Sequence, residues 1–183
     1  MENFKPALKY GLYLGLLAVL AHLIVYAINP EWFLAKEYGT LSSVLLMVAG
    51  PIVFMILGAR DCKSNFSYYS FGKAFSAAFL VGITAAAVSL VYTLAFTTVI
   101  DPELNEWIYE EKLTQELEKL EDAGYSEAML EQSKEMAGQF KKYTTGVLGS
   151  LILHGVSLFW YLILALIVGA VQKSKKIESE SID

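Results

Sequence analysis

The chain has 183 residues, of which 55% are hydrophobic and only 18% are charged, and its formal net charge at pH 7 is −5. Soluble domains are less apolar and carry about 25% charged residues, so this composition excludes a disordered chain and indicates a membrane protein. The lack of basic tracts in the sequence argues against nucleic-acid binding, and a single cysteine excludes an intramolecular disulfide and a thiolate metal cluster.

Four stretches of the sequence carry no formal charge. They hold 21, 22, 27 and 30 residues, and each is long enough for a helix to cross a hydrocarbon core of about 30 Å. Apolar residues run through them continuously, which excludes the alternating pattern of a membrane β-strand. We therefore predict an all-α fold, an integral membrane four-helix bundle that forms a single domain over residues 1–183. The predicted spans are residues 8–28, 40–59, 74–99 and 146–171.

The first predicted span has an alternative interpretation as a cleaved signal peptide, because Lys5 and Lys9 precede its apolar run. The run over residues 10–28 is longer than the apolar region of most signal peptides, and it contains His22. We therefore interpret it as a membrane helix.

The second predicted span contains Pro51 near its middle. Proline has no backbone N–H to donate and is expected to kink the helix at this point. The polar turn that follows contains Arg60 and Lys63. These two cations could bind lipid phosphate or anchor the turn at the inner membrane face.

Residues 101–142, between the third and fourth spans, carry 12 acidic and 5 basic side chains. Asp101 is a helix-capping residue followed by a proline, Gly124 is a helix stop, and Ser126 can begin a second helix. We therefore predict an antiparallel helical hairpin in this segment. Its acidic face is either solvated or a binding surface for a cation or a protein partner. The apolar stripes of its two helices are Tyr109, Leu113, Leu117 and Leu120, and Met129, Met136 and Phe140.

The distribution of lysine and arginine predicts the orientation of the chain. Eight of these residues lie on one side of the predicted bundle, and six lie on the other side, spread over a longer length of chain. The positive-inside rule then places both termini in the cytoplasm and the hairpin outside it. Lys141 and Lys142 run against this rule, and we interpret them as anchors at the headgroup layer.

The only two histidines, His22 and His154, lie inside predicted spans at similar depth, roughly 9–12 Å below the outer surface at 1.5 Å per residue. A pair of imidazoles could ligate a metal or relay protons, and it would require the first and fourth spans to be neighbours. We favour the alternative that each ring is hydrogen-bonded to a tyrosine, a serine or a backbone carbonyl, because two nitrogens do not make a metal site. The candidate partners are Tyr26, Ser150 and Ser157. We predict no metal and no other cofactor.

Three short motifs resemble those of a known family. They are GARD at residues 58–61, YSFGKAF at 69–75 and IDPE at 100–103. With them the chain resembles the domain of unknown function 4199 family, small bacterial membrane proteins with four predicted spans and a polar insertion between the third and fourth. The resemblance covers nearly the whole chain and implies a bacterial envelope setting, without an activity, a cofactor or functional residues. Family members often have a second basic residue in the turn after the second span, and Lys63 can fill that position here.

Nucleophile-elbow, zinc-protease and P-loop motifs are absent from the sequence, so we do not expect an enzyme. Our leading hypothesis is a multi-pass protein of the bacterial cytoplasmic (inner) membrane whose hairpin contacts a partner or stabilises an assembly. The alternative is a small transporter or channel that acts as an oligomer. A polar cavity reaching both histidines would favour transport, and a dry core would favour the leading hypothesis. Small residues four apart, such as Gly11 and Gly15, fit tight packing within one chain or a homo-oligomer.

Overall fold

The computed structural model describes residues 2–35, 40 and 43–174. Within these residues the chain is helical and contains no strand, which confirms the all-α prediction. Three lysines used in the orientation argument lie outside the described residues, and so do residues 41–42 of the predicted second span. The three are Lys36, Lys175 and Lys176. The helices are α1 (Lys5–Ile28), α2 (Gly50–Lys63), α3 (Phe71–Ala95), α4 (Leu104–Asp122), α5 (Glu127–Thr144) and α6 (Gly146–Gln172).

Among the described residues, four helical segments are long and apolar enough to cross a membrane, and each overlaps one of the four predicted spans. Two of them include π-helical turns, at Ser43–Ala49 before α2 and at Phe96–Ile100 after α3. One side of α1 exposes a row of leucines, as expected for a surface that lipid covers. The four segments are Glu2–Ile28, Val44–Lys63, Phe71–Ile100 and Gly146–Gln172.

The bundle is organised around α2 and α3, which pack against each other and against both remaining spans. By contrast, α1 and α6 form no comparable contact and lie at opposite corners of the bundle. The first and fourth spans are therefore not the neighbours that a pair of His22 and His154 would require. The reason is the narrow α3, whose buried alanines let one neighbour pack closely on each side. These alanines are Ala74, Ala77, Ala78, Ala85 and Ala86.

Glycines at the helix contacts allow the backbones to approach closely. A Cβ atom added at Gly11 would lie 2.5 Å from the Cβ of Thr84, and one added at Gly82 would lie 2.7 Å from the Cβ of Tyr161. Both distances are far shorter than van der Waals contact. The small residues at these positions are therefore used for packing within the chain, and the predicted homo-oligomer stays a prediction.

Pro51 lies where the π-helical stretch gives way to α2, at the position of the predicted kink. In a regular α-helix the N–H of residue 51 would donate to the carbonyl of Met47. Instead, the indole Nε1–H of Trp160 on α6 donates to the Met47 carbonyl oxygen at 2.7 Å. A side chain from the fourth span thus satisfies a backbone acceptor that the proline leaves open.

Tyr69, in the turn between α2 and α3, is 1% exposed, and its hydroxyl has no hydrogen-bond partner among the described residues. Burial raises the pKa of this phenol well above its ordinary value. We expect Tyr69→Phe to stabilise the fold by about 1–2 kcal/mol, because it removes a buried hydroxyl that no group satisfies. The check is the midpoint of unfolding in a detergent titration, with the exposed Tyr68→Phe as control. A lower midpoint for Tyr69→Phe would contradict this expectation.

Candidate functional site

A cavity of about 180 Å³ lies between α1 and α3, beneath the first turn of α4. Its α3 wall is formed by residues that recur every three or four positions and therefore share one helix face. The polar side chains at this cavity are His22, Ser89, Tyr92, Thr93, Thr97 and Asn105.

His22 is the ionisable group of this cavity, and its ring has partners on three sides. Its Nδ1 lies 2.8 Å from the hydroxyl oxygen of Tyr92. The ring of Phe33 stacks on the imidazole at 4.9 Å between centroids, and Phe96 meets it edge-on at 5.0 Å. This is the predicted imidazole bonded to a tyrosine, but the tyrosine is on α3 and is not the expected Tyr26.

Asp101 ties the beginning of the hairpin to α1. Its Oδ2 accepts a hydrogen bond of 3.0 Å from the hydroxyl of Tyr26, and its Oδ1 accepts one of 3.0 Å from the backbone N–H of Leu104. Asp101 therefore holds the first helical N–H, as a capping residue does, but the helix begins at Leu104 with Glu103 at the N-cap position, two residues later than Asp101 and Pro102 predict. The first bond, across 75 positions of sequence, could not be predicted.

Three acidic side chains, those of Glu31, Asp101 and Glu103, line part of a shallow cavity of about 450 Å³, together with Trp107 and other residues. Among the described residues no three His, Cys, Asp or Glu side chains are placed to hold one metal ion. These carboxylates lie at the end of the bundle where the hairpin begins, and the structure does not assign a metal to them.

The His22 cavity does not extend along the α1–α3 contact towards the other end of the bundle. A Cβ atom added at Gly15 would lie 2.7 Å from the Cβ of Val88. The two helices are therefore in direct contact one to two turns away from His22, which leaves no room for a passage between them.

His154 is separate from this cavity. Its Nδ1 lies 2.8 Å from the carbonyl oxygen of Ser150, and its own carbonyl accepts a hydrogen bond from the Ser157 hydroxyl. All three residues belong to α6. The structure thus gives the two histidines different partners and does not bring them together, because their helices occupy opposite corners of the bundle.

Arg60 and Lys63 lie in the last turn of α2, and both are exposed. Between them, Asp61 accepts a hydrogen bond of 2.8 Å from the hydroxyl of Tyr10 on α1. This bond fixes the end of α2 to the first span and was not visible in the sequence. Lipid-phosphate binding by the two cations stays a prediction.

The helical hairpin between the third and fourth spans is confirmed, with its turn at Gly124, where φ is +84°. Ser126 begins α5, as predicted, although its side chain makes no capping hydrogen bond. The two helices are joined by the Tyr109 hydroxyl, which donates to the carbonyl oxygen of Ala137 at 2.6 Å. The predicted α4 stripe is half-buried against α5.

Lys141 on α5 is paired within the hairpin, since its Nζ lies 2.8 Å from Glu110 and 3.7 Å from Glu106 on α4. The anchoring of Lys141 and Lys142 at the headgroup layer stays a prediction. The hydrogen bond to Glu110 raises the pKa of Lys141 above its ordinary value of 10.5. The stripe of Met129, Met136 and Phe140 is exposed and does not pack in the hairpin. The half-buried face of α5 is instead Leu130, Ser133, Ala137 and Lys141.

The bond between Tyr92 and His22 predicts a measurable stability difference. We expect Tyr92→Phe to destabilise the bundle by about 0.5–1.5 kcal/mol, since it removes the hydroxyl and leaves an imidazole nitrogen without its partner. Tyr143→Phe, at an exposed position, should have no comparable effect. Unfolding midpoints of the two variants in one detergent series test this. Equal midpoints would mean that the Tyr92–His22 bond does not contribute to stability.

Comparison with known proteins gives one match. The sequence matches the family model described as "Protein of unknown function (DUF4199)" over residues 9–174. Curated proteins and solved structures give no match to this chain.

Proposed function

Because this chain belongs to the DUF4199 family, whose function is unknown, we propose a function from its geometry. The chain is a non-enzymatic, multi-pass membrane protein, and its helical hairpin is a contact surface for a protein partner. We assign it to the bacterial cytoplasmic membrane, with both termini in the cytoplasm. The support for this orientation is the excess of lysine and arginine at the other end of the bundle.

The observation that carries this proposal is that hydrogen bonds hold the acidic hairpin in a fixed arrangement. Asp101 fixes its beginning to α1, while Tyr109 and Lys141 join its two helices. Residues 101–142 carry 12 acidic and 5 basic side chains, and the acidic groups along the outer face of α4 are exposed. A rigid surface with a net negative charge attracts and orients a surface of opposite charge. The partner that fits is a protein with a basic face.

The alternative of a transporter or channel has less support, because the described residues offer no continuous polar route between the two histidines. The His22 cavity does not include His154, and direct contact between α1 and α3 at Gly15 limits it on one side. The centre of the bundle is filled by alanines together with Met55 and Val81. An oligomeric transporter would need a path between copies of the chain.

The experiment is site-specific photocrosslinking of the full chain in the membranes of an expressing bacterium. A benzophenone amino acid at Glu118, on the exposed side of α4, is compared with one at Tyr68, at the opposite end of the bundle. We expect a product of defined mass from position 118 only. Its yield should fall at least threefold when Glu111→Lys is added, and should persist with the same-size change Glu111→Gln. Absence of a product, or a yield that the charge reversal leaves unchanged, would contradict the proposal.

A further inference from the structure

An apolar stripe on α5 has no partner within the hairpin. Its side chains are spaced seven, four and three positions apart, so they lie on one face of the helix. Each is roughly half exposed, although each is large and hydrophobic. The stripe consists of Met129 (52% exposed), Met136 (51%), Phe140 (56%) and Tyr143 (42%).

The rest of α5 is arranged as in a helix that lies at an interface. At 100° per residue, the charged Glu131, Lys134 and Glu135 fall on the half of the helix that faces away from the stripe. The face in contact with α4 lies between these two surfaces, about a quarter turn from the stripe. A helix with a separate apolar face and a charged face opposite it is typical of binding along a membrane surface.

The stripe is continuous with the lipid-facing surface of the fourth span. Val147, Leu148 and Leu151 follow Tyr143 along the chain, and all three are exposed on α6, within the span Gly146–Gln172. This surface must meet lipid if α6 crosses the membrane. The last residues of the stripe therefore lie at the boundary of the bilayer.

The junction between α5 and α6 lets α5 leave the direction of the span. Thr145 is extended, with φ −117° and ψ 166°, and Gly146 has a φ of +63°, which a residue with a side chain rarely adopts. Beside this break, the Nζ of Lys142 lies 4.8 Å from the centroid of the Tyr143 ring. An aromatic ring with a long cationic side chain next to it is a common arrangement at the headgroup level of a membrane.

We propose that α5 binds along the membrane surface, with Met129, Met136 and Phe140 inserted into the phospholipid at the boundary between headgroups and acyl chains. The occupant of the stripe is the leaflet into which α6 enters. This surface is distinct from the acidic face of α4 assigned to a protein partner. It would hold the hairpin at a fixed inclination to the bilayer.

The test places a fluorescent NBD label at single cysteines in the full chain, in a Cys62→Ala background, since Cys62 is the only cysteine. The labelled positions are Met136→Cys and Phe140→Cys on the stripe, with Glu131→Cys on the charged face as matched control. The protein is reconstituted in vesicles of phosphatidylcholine and phosphatidylglycerol. Lipids carrying a nitroxide on the fifth acyl carbon report contact with lipid, and iodide reports contact with water. Each variant must retain the helix content of the parent protein.

We expect the nitroxide lipid to quench the two stripe positions at least threefold more strongly than position 131, and iodide to show the reverse order. Two results would overturn the proposal. Strong iodide quenching at positions 136 and 140 would mean that the stripe is in water. Protection from both quenchers would mean that protein covers it, and a disulfide dimer of the unlabelled Phe140→Cys protein would then identify that protein as a second copy. These readouts do not depend on the crosslinking at Glu118, so the two proposals can fail separately.

Discussion

Gly11→Leu is expected to destabilise the bundle by about 3 kcal/mol or more, whereas Gly155→Leu should change its stability by no more than about 0.5 kcal/mol. At Gly11 even a Cβ atom would lie 2.6 Å from the carbonyl oxygen of Val81, and backbone cannot move aside as a flexible side chain can. At Gly155 a Cβ atom would meet nothing within 4 Å. Both glycines are in helices, so the expected difference in stability comes from the contacts that the added side chains would make.

The measurement is the fraction of folded protein against denaturing detergent for the two variants and the parent protein. The smaller change Gly11→Ala should fall between Gly11→Leu and the parent. Equal curves for Gly11→Leu and Gly155→Leu would show that α1 and α3 do not approach each other as closely as the structure has them.

Asp101→Ala is expected to loosen the hairpin while leaving the four spans assembled. The substitution removes the acceptor for the Tyr26 hydroxyl and for the Leu104 backbone N–H. Losing one hydrogen bond to a charged group and one helix cap should cost about 1–3 kcal/mol of local stability. Hydrogen exchange should therefore become at least about fivefold faster in the first turns of α4, because a loss of about 1 kcal/mol already corresponds to about fivefold.

The matched control is Glu103→Ala, which removes a nearby exposed carboxylate at the N-cap position whose side chain makes no capping hydrogen bond. Exchange in α4 should remain at the parent rate in this variant. If both substitutions accelerate exchange equally, the effect comes from the loss of negative charge near the helix N-terminus. The hydrogen bonds of Asp101 would then not be what holds the beginning of the hairpin.

Features set by local sequence could be predicted well. The charge-free stretches defined the four spans because a membrane helix needs a fixed apolar length. Asp101 and Gly124 marked the beginning of the hairpin and its turn because capping and left-handed backbone are local properties. Ser126 was identified as the beginning of α5 for the same reason, although its hydroxyl makes no capping bond.

Features set by contacts between distant segments could not be predicted. The hydroxyl that bonds to His22 belongs to Tyr92, which is 70 positions away in the sequence. Several polar residues of α3 lie at a similar depth, so the sequence does not single out Tyr92. Which spans are neighbours depends on how closely the other helices can pack against α3. The four spans have similar hydropathy patterns, so the sequence does not reveal this packing. On α5, periodicity identifies an apolar stripe but does not reveal which face of the helix meets α4. Lys141 and Tyr109 instead select a face about a quarter turn away, through bonds whose partners lie on the other helix.

The central claim is that four helices cross the membrane, so that the hairpin lies on one side and the turn between α2 and α3 on the other. In a Cys62→Ala background, Glu118→Cys and Ser67→Cys provide one exposed reporter on each side. We predict that a membrane-impermeant maleimide labels Glu118→Cys in intact spheroplasts of an expressing bacterium, and labels Ser67→Cys only after the membrane is permeabilised. Labelling of both positions in intact spheroplasts would contradict the four-span arrangement, and labelling of Ser67→Cys alone would invert the proposed orientation.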